Sequence, residues 1–499
     1  MGKRRSEHSP PPQQPCAADD GGTKQKSVCY YYDPRISYVD YGETHAMVPH
    51  RVTMTHALIN AYGLLGDMDL LGIAPATEED LELGGTHDKE YIKFLVRSLT
   101  PADYNADPKT RREAAEKYNL GEIWTRDKNN RCFTFTNDNP VIENLWDYCQ
   151  RYAGGSLAAA RALASGKYKI AINWSGGMHH ACKGKAQGFC YVNDIVVAIK
   201  ALLHHGRRFI RRVLYLDIDA HHGDGVETAF VEDSQVLTVS FHQFGGEFFP
   251  GTGAAVDVGE LLPGDAVCPT LINVPLEAGT GDGVYHQLFG PIVDRVMAVF
   301  KPDAVVMQCG ADSLAGDRLA GLGLSVRGHA KCVSIVKGYG LPLLLLGGGG
   351  YTINHVASCW CYETAVAIGK DIPDDIPQHG YQSYYQSQGY KLHHHKEDDS
   401  GHGSEEMDEK AKPIMEKVMK HLDCLSSKFM PKLPMLSMQP GDDADALVIV
   451  DHSPRDEDPV ETLHRRCGEH LLHKFFADLG RKRTSQASLS RNNNAERRS

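Results

Sequence analysis

Five apolar segments in the middle of the chain have the pattern of buried strands. They are YKIAINW (168–174), RVLYLDI (212–218), QVLTVSF (235–241), DAVVMQC (303–309) and LPLLLLG (341–347). Four further segments show the apolar spacing of helices: 155–166, 189–204, 283–300 and 328–338. Strands that are apolar on both faces and alternate with helices are typical of a covered parallel sheet. The pattern predicts a three-layer α/β fold, with a mostly parallel central β-sheet and helices on both faces.

This pattern is confined to one part of the chain. Residues 1–27 are polar and proline-rich, and 433–499 end in a basic stretch, so we expect mostly disordered tails there. The globular pattern runs over 28–370. Residues 371–432 are largely polar but include a helical pattern at 411–428, and we expect them to form a C-terminal extension of the domain. The sequence therefore predicts one folded domain with two tails.

Composition adds limits on the class of protein. The 499 residues, 41% hydrophobic and 23% charged, are ordinary for a globular protein, and the net charge of −11 favours a basic partner over a polyanion. The 13 cysteines include no CxxC pair, which indicates reduced thiols and excludes a zinc ribbon. The N-terminus has no apolar core of a signal peptide, and no apolar run approaches the roughly 20 residues of a membrane span.

Polar residues cluster where four of the predicted strands end. HHGDG (221–225) follows one strand, GADS (310–313) a second, GGGGY (347–351) a third and GGMHH (176–180) a fourth. Ligands of parallel α/β sheets bind beyond the carboxyl ends of the strands. We therefore expect these four segments to converge on one site.

Two residues of this set have the spacing of metal ligands. Asp219 and His221 are separated by two positions, so in an extended segment they point to the same side. Asp312, after another strand, is the best candidate for a third ligand. Two carboxylates and one imidazole leave positions open for water and substrate, as catalytic metal sites do. A divalent cation would also offset the burial of these charges, whereas the competing interpretation is a polar loop whose acids cap helices.

The same region contains candidates for acid–base chemistry. Hydrolysis at a metal requires a base for water and an acid for the leaving group, and His179 and His180 can supply both. Asp217 and Asp224 are further carboxylates that could orient them. Tyr351, after four glycines, has a hydroxyl that could donate to a developing oxyanion. The alternative is a packed tyrosine in a strand-to-helix turn.

The cluster is also similar to arginase-type sites, which hold two metal ions. Those sites carry a carboxylate four residues after the first aspartate of their D-A-H motif, where this chain has Gly223. Their second aspartate pair has the form D-x-D, but Leu314 stands two residues after Asp312. Both differences favour a single metal ion.

Taken together, the chain resembles the class I histone deacetylases, in a plant-like form, over about residues 28–370. The matching blocks include VPHRVTMTH (48–56), HDKEYIKFL (87–95), NWSGGMHHACKGKAQGFCYVNDIV (173–196), LYLDIDAHHGDGVETAF (214–230), QCGADSLAGDRLAG (308–321) and LLLGGGGYTI (344–353). The resemblance implies an arginase/deacetylase-like fold with 28–370 as the catalytic domain. It also implies hydrolysis of the amide bond of N6-acetyl-lysine on histone tails, in chromatin-based transcriptional repression.

The resemblance assigns roles to individual residues. It implies one zinc ion bound by Asp219, His221 and Asp312. His180 would be the general base, oriented by Asp224, and His179 an electrostatic or acid partner, oriented by Asp217. Tyr351 would polarise the acetyl carbonyl. The implied substrate-binding residues are Asp138, Gly188, Phe189, Phe249 and Leu319. A structural potassium ion is implied at Asp217, Ser240 and Phe241.

Three departures from the family pattern stand out. Val48 and Asn354 replace a lysine and an arginine that contribute in the family to an inositol-phosphate site, and only Arg318 of that basic set remains. The stretch 123–136 looks inserted in the loop that carries the substrate-binding aspartate, and the pattern resumes at Asp138. FHQFGGEFFPG (241–251) has one glycine more than the family pattern, close to Phe249 of the implied substrate-binding set.

Partners and location follow from the resemblance. It implies acetylated histone tails as substrate, corepressor complex subunits as partners and a nuclear location, with no sequence-specific DNA binding and no membrane. Basic clusters at 3–5 and 481–483 agree with a nuclear location. Two other functions stay open: a weakly active scaffold for corepressors, and a deacetylase of small acetylated polyamines. The ligand types alone would also suit iron(II).

Overall fold

The computed structural model describes residues 26–42, 45–97, 100–121, 123–126, 132–136, 138–258, 268–393 and 407–429. They all belong to one compact unit that spans 1–432. The predicted disorder of 433–499, and of all but the end of 1–27, lies outside the described residues.

Among the described residues, eight of the strands form one parallel sheet. The strands are β1 (Val28–Tyr31), β2 (Asp69–Leu71), β3 (Ile123–Arg126), β4 (Cys132–Thr136), β5 (Ile170–Asn173), β6 (Val213–Asp217), β7 (Val236–Gln243), β8 (Leu271–Leu276), β9 (Ala304–Gln308) and β10 (Leu343–Leu346). The order across the sheet is β2-β1-β5-β10-β9-β6-β7-β8, and every neighbouring pair is parallel. β3 and β4, within the stretch that looks inserted, form a separate antiparallel pair.

Helices surround the sheet in two groups. The helices are α1 (His50–Ala61), α2 (Glu78–Leu81), α3 (Lys89–Val96), α4 (Pro101–Ala106), α5 (Pro108–Tyr118), α6 (Leu145–Ala164), α7 (Asp194–His205), α8 (Asp224–Phe230), α9 (Asp282–Phe300), α10 (Val326–Gly338), α11 (Ile353–Ile368) and α12 (Ala411–Phe429). α6 packs against α7, whereas α1, α11, α10, α9 and α12 pack in succession. The predicted parallel α/β fold is confirmed. Within the described ranges, no helix is both long and apolar enough to cross a bilayer.

The polar segments that follow the central strands lie beyond one edge of the sheet. β5, β10, β9 and β6 are adjacent, and all residues of these four strands are buried. Their nearly continuous apolar sequences suit strands that are covered on both faces. All four strands run parallel, so the polar segments that follow them emerge at the same edge of the sheet.

Helix α12 lies beyond residue 370 and packs against other elements of the fold. α12 buries Val418, Leu422 and Leu425, and the ring of its last residue, Phe429, contacts Phe300 of α9 edge-on at 5.2 Å. The predicted helix at 411–428 therefore exists and covers α9 and β8.

Two predicted helices begin elsewhere in the structure. α6 begins at Leu145 and runs through Gly154 and Gly155, although glycine has a low helix propensity. In the segment 189–204, the helix begins only at Asp194. Asn193 caps it by accepting a hydrogen bond from the Val196 N–H at 3.1 Å.

The central position of β10 generates a stability prediction. Leu345→Ala should lower the free energy of unfolding by about 2–5 kcal/mol, because it leaves a cavity at a fully buried position. Leu70→Ala, on edge strand β2 where the side chain is 46% exposed, is the matched control and should change it by only about 0.5 kcal/mol or less. Urea unfolding followed by circular dichroism measures both; equal effects would contradict the described burial.

Candidate metal centre and active site

Three buried side chains meet beyond the ends of β6 and β9. Ligand atoms of Asp219, His221 and Asp312 lie within 4.8 Å of one another. His221 Nδ1 is 2.9 Å from Asp312 Oδ2 and 3.2 Å from Asp219 Oδ1. The structure thus brings together the three residues that the sequence indicates as metal ligands.

Hydrogen bonds from three strand ends fix the two carboxylates. Asp219 Oδ2 accepts hydrogen bonds from Gln308 Nε2 at 2.7 Å and from the Gly349 N–H at 2.8 Å. Asp312 Oδ1 accepts one from the Ala220 N–H at 2.8 Å. Since these donors belong to β9 and to the loops after β10 and β6, the sheet itself sets the carboxylate geometry.

The cluster is electrostatically unusual for a protein interior. Burial opposes protonation of His221, but Asp312 and Asp219 outweigh it and raise its pKa to about 10. Burial and then the charge of Asp219 raise the pKa of Asp312 to about 7. Two buried carboxylates around one imidazole form the oxygen and nitrogen donor set of a divalent cation, so the residues fit a metal ion.

Two histidines lie beside this cluster, and each has its own carboxylate. His179 Nδ1 donates to Asp217 Oδ2 at 2.8 Å, and His180 Nδ1 donates to Asp224 Oδ1 at 2.7 Å. The centroids of the two rings are 3.9 Å apart, and that of His180 is 6.0 Å from that of His221. With both Nδ1 atoms occupied as donors, the Nε2 atoms remain for chemistry.

The two histidines differ in charge. Burial and then the neighbouring His179 lower the pKa of His180 to about 4. Burial also disfavours a charged His179, but Asp217 and Asp219 outweigh it and raise its pKa to about 9. Near neutral pH, therefore, His180 is a neutral base and His179 is a cation.

Gly223 closes the place where a second metal ligand would stand. A Cβ at this position would lie 2.3 Å from Asp217 Oδ2, so no side chain fits. Leu314, at the other diagnostic position, is fully buried. The packing agrees with a single ion.

A cavity of about 330 Å³ leads to the cluster. It is lined by Asp138, His180, Gly188, Phe189, His221, Glu247, Phe248, Phe249, Leu319 and Tyr351. The rings of His180 and Phe249 meet edge-on at 4.9 Å, as do those of Phe189 and Tyr351 at 5.7 Å. All five residues that the sequence analysis assigns to substrate binding lie along this cavity, with Asp138 exposed.

Tyr351 lies beside the candidate metal ligands. Its ring centroid is 6.5 Å from that of His221. Burial and the charge of Asp312 raise the pKa of its hydroxyl well above the usual range, so the hydroxyl keeps its proton as a donor. The buried Arg51 holds the preceding glycine loop by donating to the Gly350 and Gly348 carbonyls at 2.5 Å each.

The residues of the predicted potassium site are also neighbours. Asp217 of β6 is the strand partner of Ser240 of β7, and Phe241 follows Ser240. The Ser240 hydroxyl is 2.9 Å from His242 Nδ1.

Several residues near the site were not predicted. Phe248 stacks on His221 with centroids 4.9 Å apart and ring planes 11° apart, and Glu247 lies at the cavity beside it. Asp317 accepts a hydrogen bond from the Tyr351 N–H at 2.7 Å and so positions that residue. The Phe-Phe pair before Pro250 was the available signal for Phe248.

A second buried cluster supports the loop that carries Asp312. His329 Nδ1 is 2.7 Å from Glu363 Oε1 and 3.3 Å from the Cys359 sulfur, and its Nε2 donates to the Gly310 carbonyl at 3.0 Å. All three side chains are fully buried. The cluster anchors the metal-site loop to α10 and α11.

Two positions of the predicted inositol-phosphate set, 48 and 354, carry no cation, whereas the family pattern has a lysine and an arginine there. Arg318 is exposed and Val48 is half-buried. Asn354 donates a short hydrogen bond to Gln388.

Comparison with known proteins decides the family. A model of the Histone deacetylase domain matches residues 45–367. Histone deacetylase 19 of Arabidopsis thaliana is 48% identical over 369 residues, 74% of this chain and 67% of that protein. The chain belongs to the histone deacetylase family. Histone deacetylase 3 of Oryza sativa subsp. japonica is 41% identical over 461 residues, 92% of this chain and 84% of its own length, and Histone deacetylase 1 of Bos taurus is 46% identical over 371 residues, 74% and 70%. The class I resemblance and the prediction of a hydrolase are confirmed, and the family depends on a metal.

The contact at Gly223 gives a test of this geometry. Gly223→Ala should lower histone deacetylase activity by about tenfold or more, because the added Cβ displaces Asp217 from His179. Gly72→Ala, where nothing lies within 4 Å of an added Cβ, is the control and should keep full activity. Steady-state assays of the two variants measure the difference; an active Gly223→Ala protein would contradict the close approach.

Proposed function

We propose that this member of the family hydrolyses the N6-acetyl-lysine amide on histone tails with one zinc ion. The observation that carries the proposal is the convergence of Asp219, His221 and Asp312 with two histidine–carboxylate pairs beside one cavity, which His180 and His221 line. The relatives' names support histones as the substrate class.

The cavity suits an acetylated lysine better than a free one. Acetylation removes the charge of the side chain, so its alkyl part can pass between Phe189 and Phe249 without loss of ion solvation. Leu319 adds apolar surface at the mouth, where its side chain is 42% exposed. Asp138 and Glu247, also exposed, offer carboxylates to the peptide backbone and to basic flanking residues.

Asp219, His221 and Asp312 would hold the zinc ion. When bound, such an ion polarises the acetyl carbonyl and makes water acidic enough to act as a nucleophile near neutral pH. The buried carboxylates would gain the countercharge that a protein interior otherwise denies them.

The surrounding residues would carry the proton transfers. His180 accepts a proton from the attacking water on Nε2, while Asp224 holds its Nδ1–H. Tyr351 donates its hydroxyl to the acetyl oxygen as negative charge develops there. His179, as an imidazolium, stabilises that charge and can protonate the leaving lysine amine. Acetate and lysine result.

Further parts of the proposal rest on the family relationship. A structural potassium ion would be held around Asp217, Ser240 and Phe241. Residues 28–370 would form the catalytic domain, with 371–432 as its extension. The protein would work in the nucleus with corepressor subunits, in transcriptional repression, without sequence-specific DNA contacts.

Catalysis by the cavity residues is tested with an acetylated histone peptide. Tyr351→Phe should reduce kcat by about 10²–10³-fold, because one donor to the developing oxyanion is lost. His180→Ala should reduce it at least as much, whereas Tyr384→Phe, an exposed tyrosine, is the control and should keep full rate. Release of acetate is measured.

The same assay separates the alternatives. Turnover of acetylputrescine with none of the peptide would favour a polyamine deacetylase. Zinc-loaded protein that turns over neither substrate would favour a corepressor scaffold.

Val48 and Asn354 generate a separate prediction about regulation. Deacetylase activity should not change on addition of inositol phosphate, because Arg318 is the one cation left of the three-residue set. The double variant Val48→Lys with Asn354→Arg restores both charges and should respond. Activation of the natural chain by inositol phosphate would contradict this prediction.

A further inference from the structure

The loop that carries Gly188 and Phe189 of the cavity lining ends in a tight turn. The Gln187 N–H donates to the Cys190 carbonyl and the Cys190 N–H donates to the Gln187 carbonyl, both at 2.9 Å. Between them, Gly188 and Phe189 both have positive φ, +52° and +67°, as the two central residues of a type I′ turn do. The backbone of Gln187 is therefore fixed independently of its side chain.

The side chain of Gln187 points away from the turn to the carboxylate behind His180. Its Nε2 donates to Asp224 Oδ2 at 2.5 Å, and its Oε1 accepts from the Cys182 thiol at 3.6 Å. These two partners define which end of the amide is nitrogen. Gln187 thus joins the wall of the cavity to the Asp224–His180 pair.

Asp224 has a donor on each oxygen. Oδ1 accepts from His180 Nδ1 at 2.7 Å and from the Gly225 N–H at 2.9 Å, while Oδ2 accepts from Gln187. With both oxygens engaged, the carboxylate cannot rotate about its Cβ–Cγ bond without breaking a hydrogen bond. Oδ1 stays aimed at Nδ1, and Nε2 of His180 stays free toward the cavity.

We infer that Gln187 is a positioning residue for the deacetylation reaction: its amide holds Asp224, and through Asp224 it fixes the orientation and the tautomer of His180. This inference rests on the proposed function. Gln187 is neutral, so it fixes the carboxylate without adding charge. Its donated N–H also offsets part of the negative charge of Asp224, so His180 is exposed to a weaker negative potential. Loss of the amide should both loosen the base and make it more basic.

Gln187→Met in the zinc-loaded full chain removes the donor at nearly constant length. kcat on an acetyl-lysine peptide should fall about tenfold, while KM stays within about twofold because the backbone turn that carries Phe189 is kept. The acid limb of the pH profile of kcat/KM should move to higher pH. It should move further in Gln187→Glu, where a carboxylate faces Asp224.

The control is Lys185→Met, an exposed position in the same loop, which should leave kcat and the pH profile unchanged. Zinc content and melting temperature should be equal in all variants. A Gln187→Met protein with the wild-type kcat and pH profile would overturn the inference. So would a loss of activity that comes only with a lower melting temperature or a higher KM.

A measurement without substrate separates this inference from the proposed function. The Nδ1–H proton of His180, assigned by its disappearance in His180→Ala, should give a downfield NMR resonance that shifts in Gln187→Met but not in Lys185→Met. No shift would overturn the inference even if the peptide is hydrolysed. A shift in a chain that hydrolyses no acetyl-lysine peptide would preserve the hydrogen-bond network and overturn the proposed function instead.

Discussion

The structure depends on the burial of charged groups at the end of its central strands. Four of these groups are almost completely removed from water: Asp219, Asp312, His179 and His221. An isolated ion in such a place costs several kcal/mol, and protein interiors tolerate it only with close partners. Here each carboxylate has hydrogen-bond donors from neighbouring strand ends, and a divalent ion would complete the charge balance. The arrangement of the central strands therefore has to satisfy the buried charges at their carboxyl ends as well as the packing of the apolar core.

Residues around this inner cluster hold the cluster side chains and their loops in place by hydrogen bonds. Gln308 and Gly349 hold Asp219, while His329 holds the loop of Asp312 through the Gly310 carbonyl. Further out, Asp317 holds the backbone of Tyr351. In a close-packed interior, such supports restrict these side chains to well-defined positions. In the proposed reaction, that restriction would preorganise the site for its transition state.

Much of the fold could be predicted from the sequence because its central strands are apolar on both faces. The short apolar runs around Leu214, Val306 and Leu345, separated by helix-length segments, have the pattern of buried parallel strands. Other strands escaped prediction: β1 is four residues with two tyrosines, and the apolar pattern of β8 is interrupted by Asn273 and Pro275. Helix α11 also escaped, because its buried residues leave little amphipathic contrast.

The candidate site divides in the same way. Asp219, His221 and the histidine pair stand in short motifs that the sequence displays directly. Gln187 and Asp317 meet the site only through tertiary contacts, which no spacing reveals.

The central claim is that three ligands share one ion on which hydrolysis depends. Its most direct test is titration of the metal-stripped chain with zinc, with binding and acetyl-peptide turnover followed together, beside the same titration of Asp312→Asn. One equivalent of zinc should bind, turnover should rise in parallel and be complete at that point, and both should be lost in Asp312→Asn. Turnover that needs a second equivalent, or an Asp312→Asn protein that binds zinc and hydrolyses the peptide like the natural chain, would contradict it.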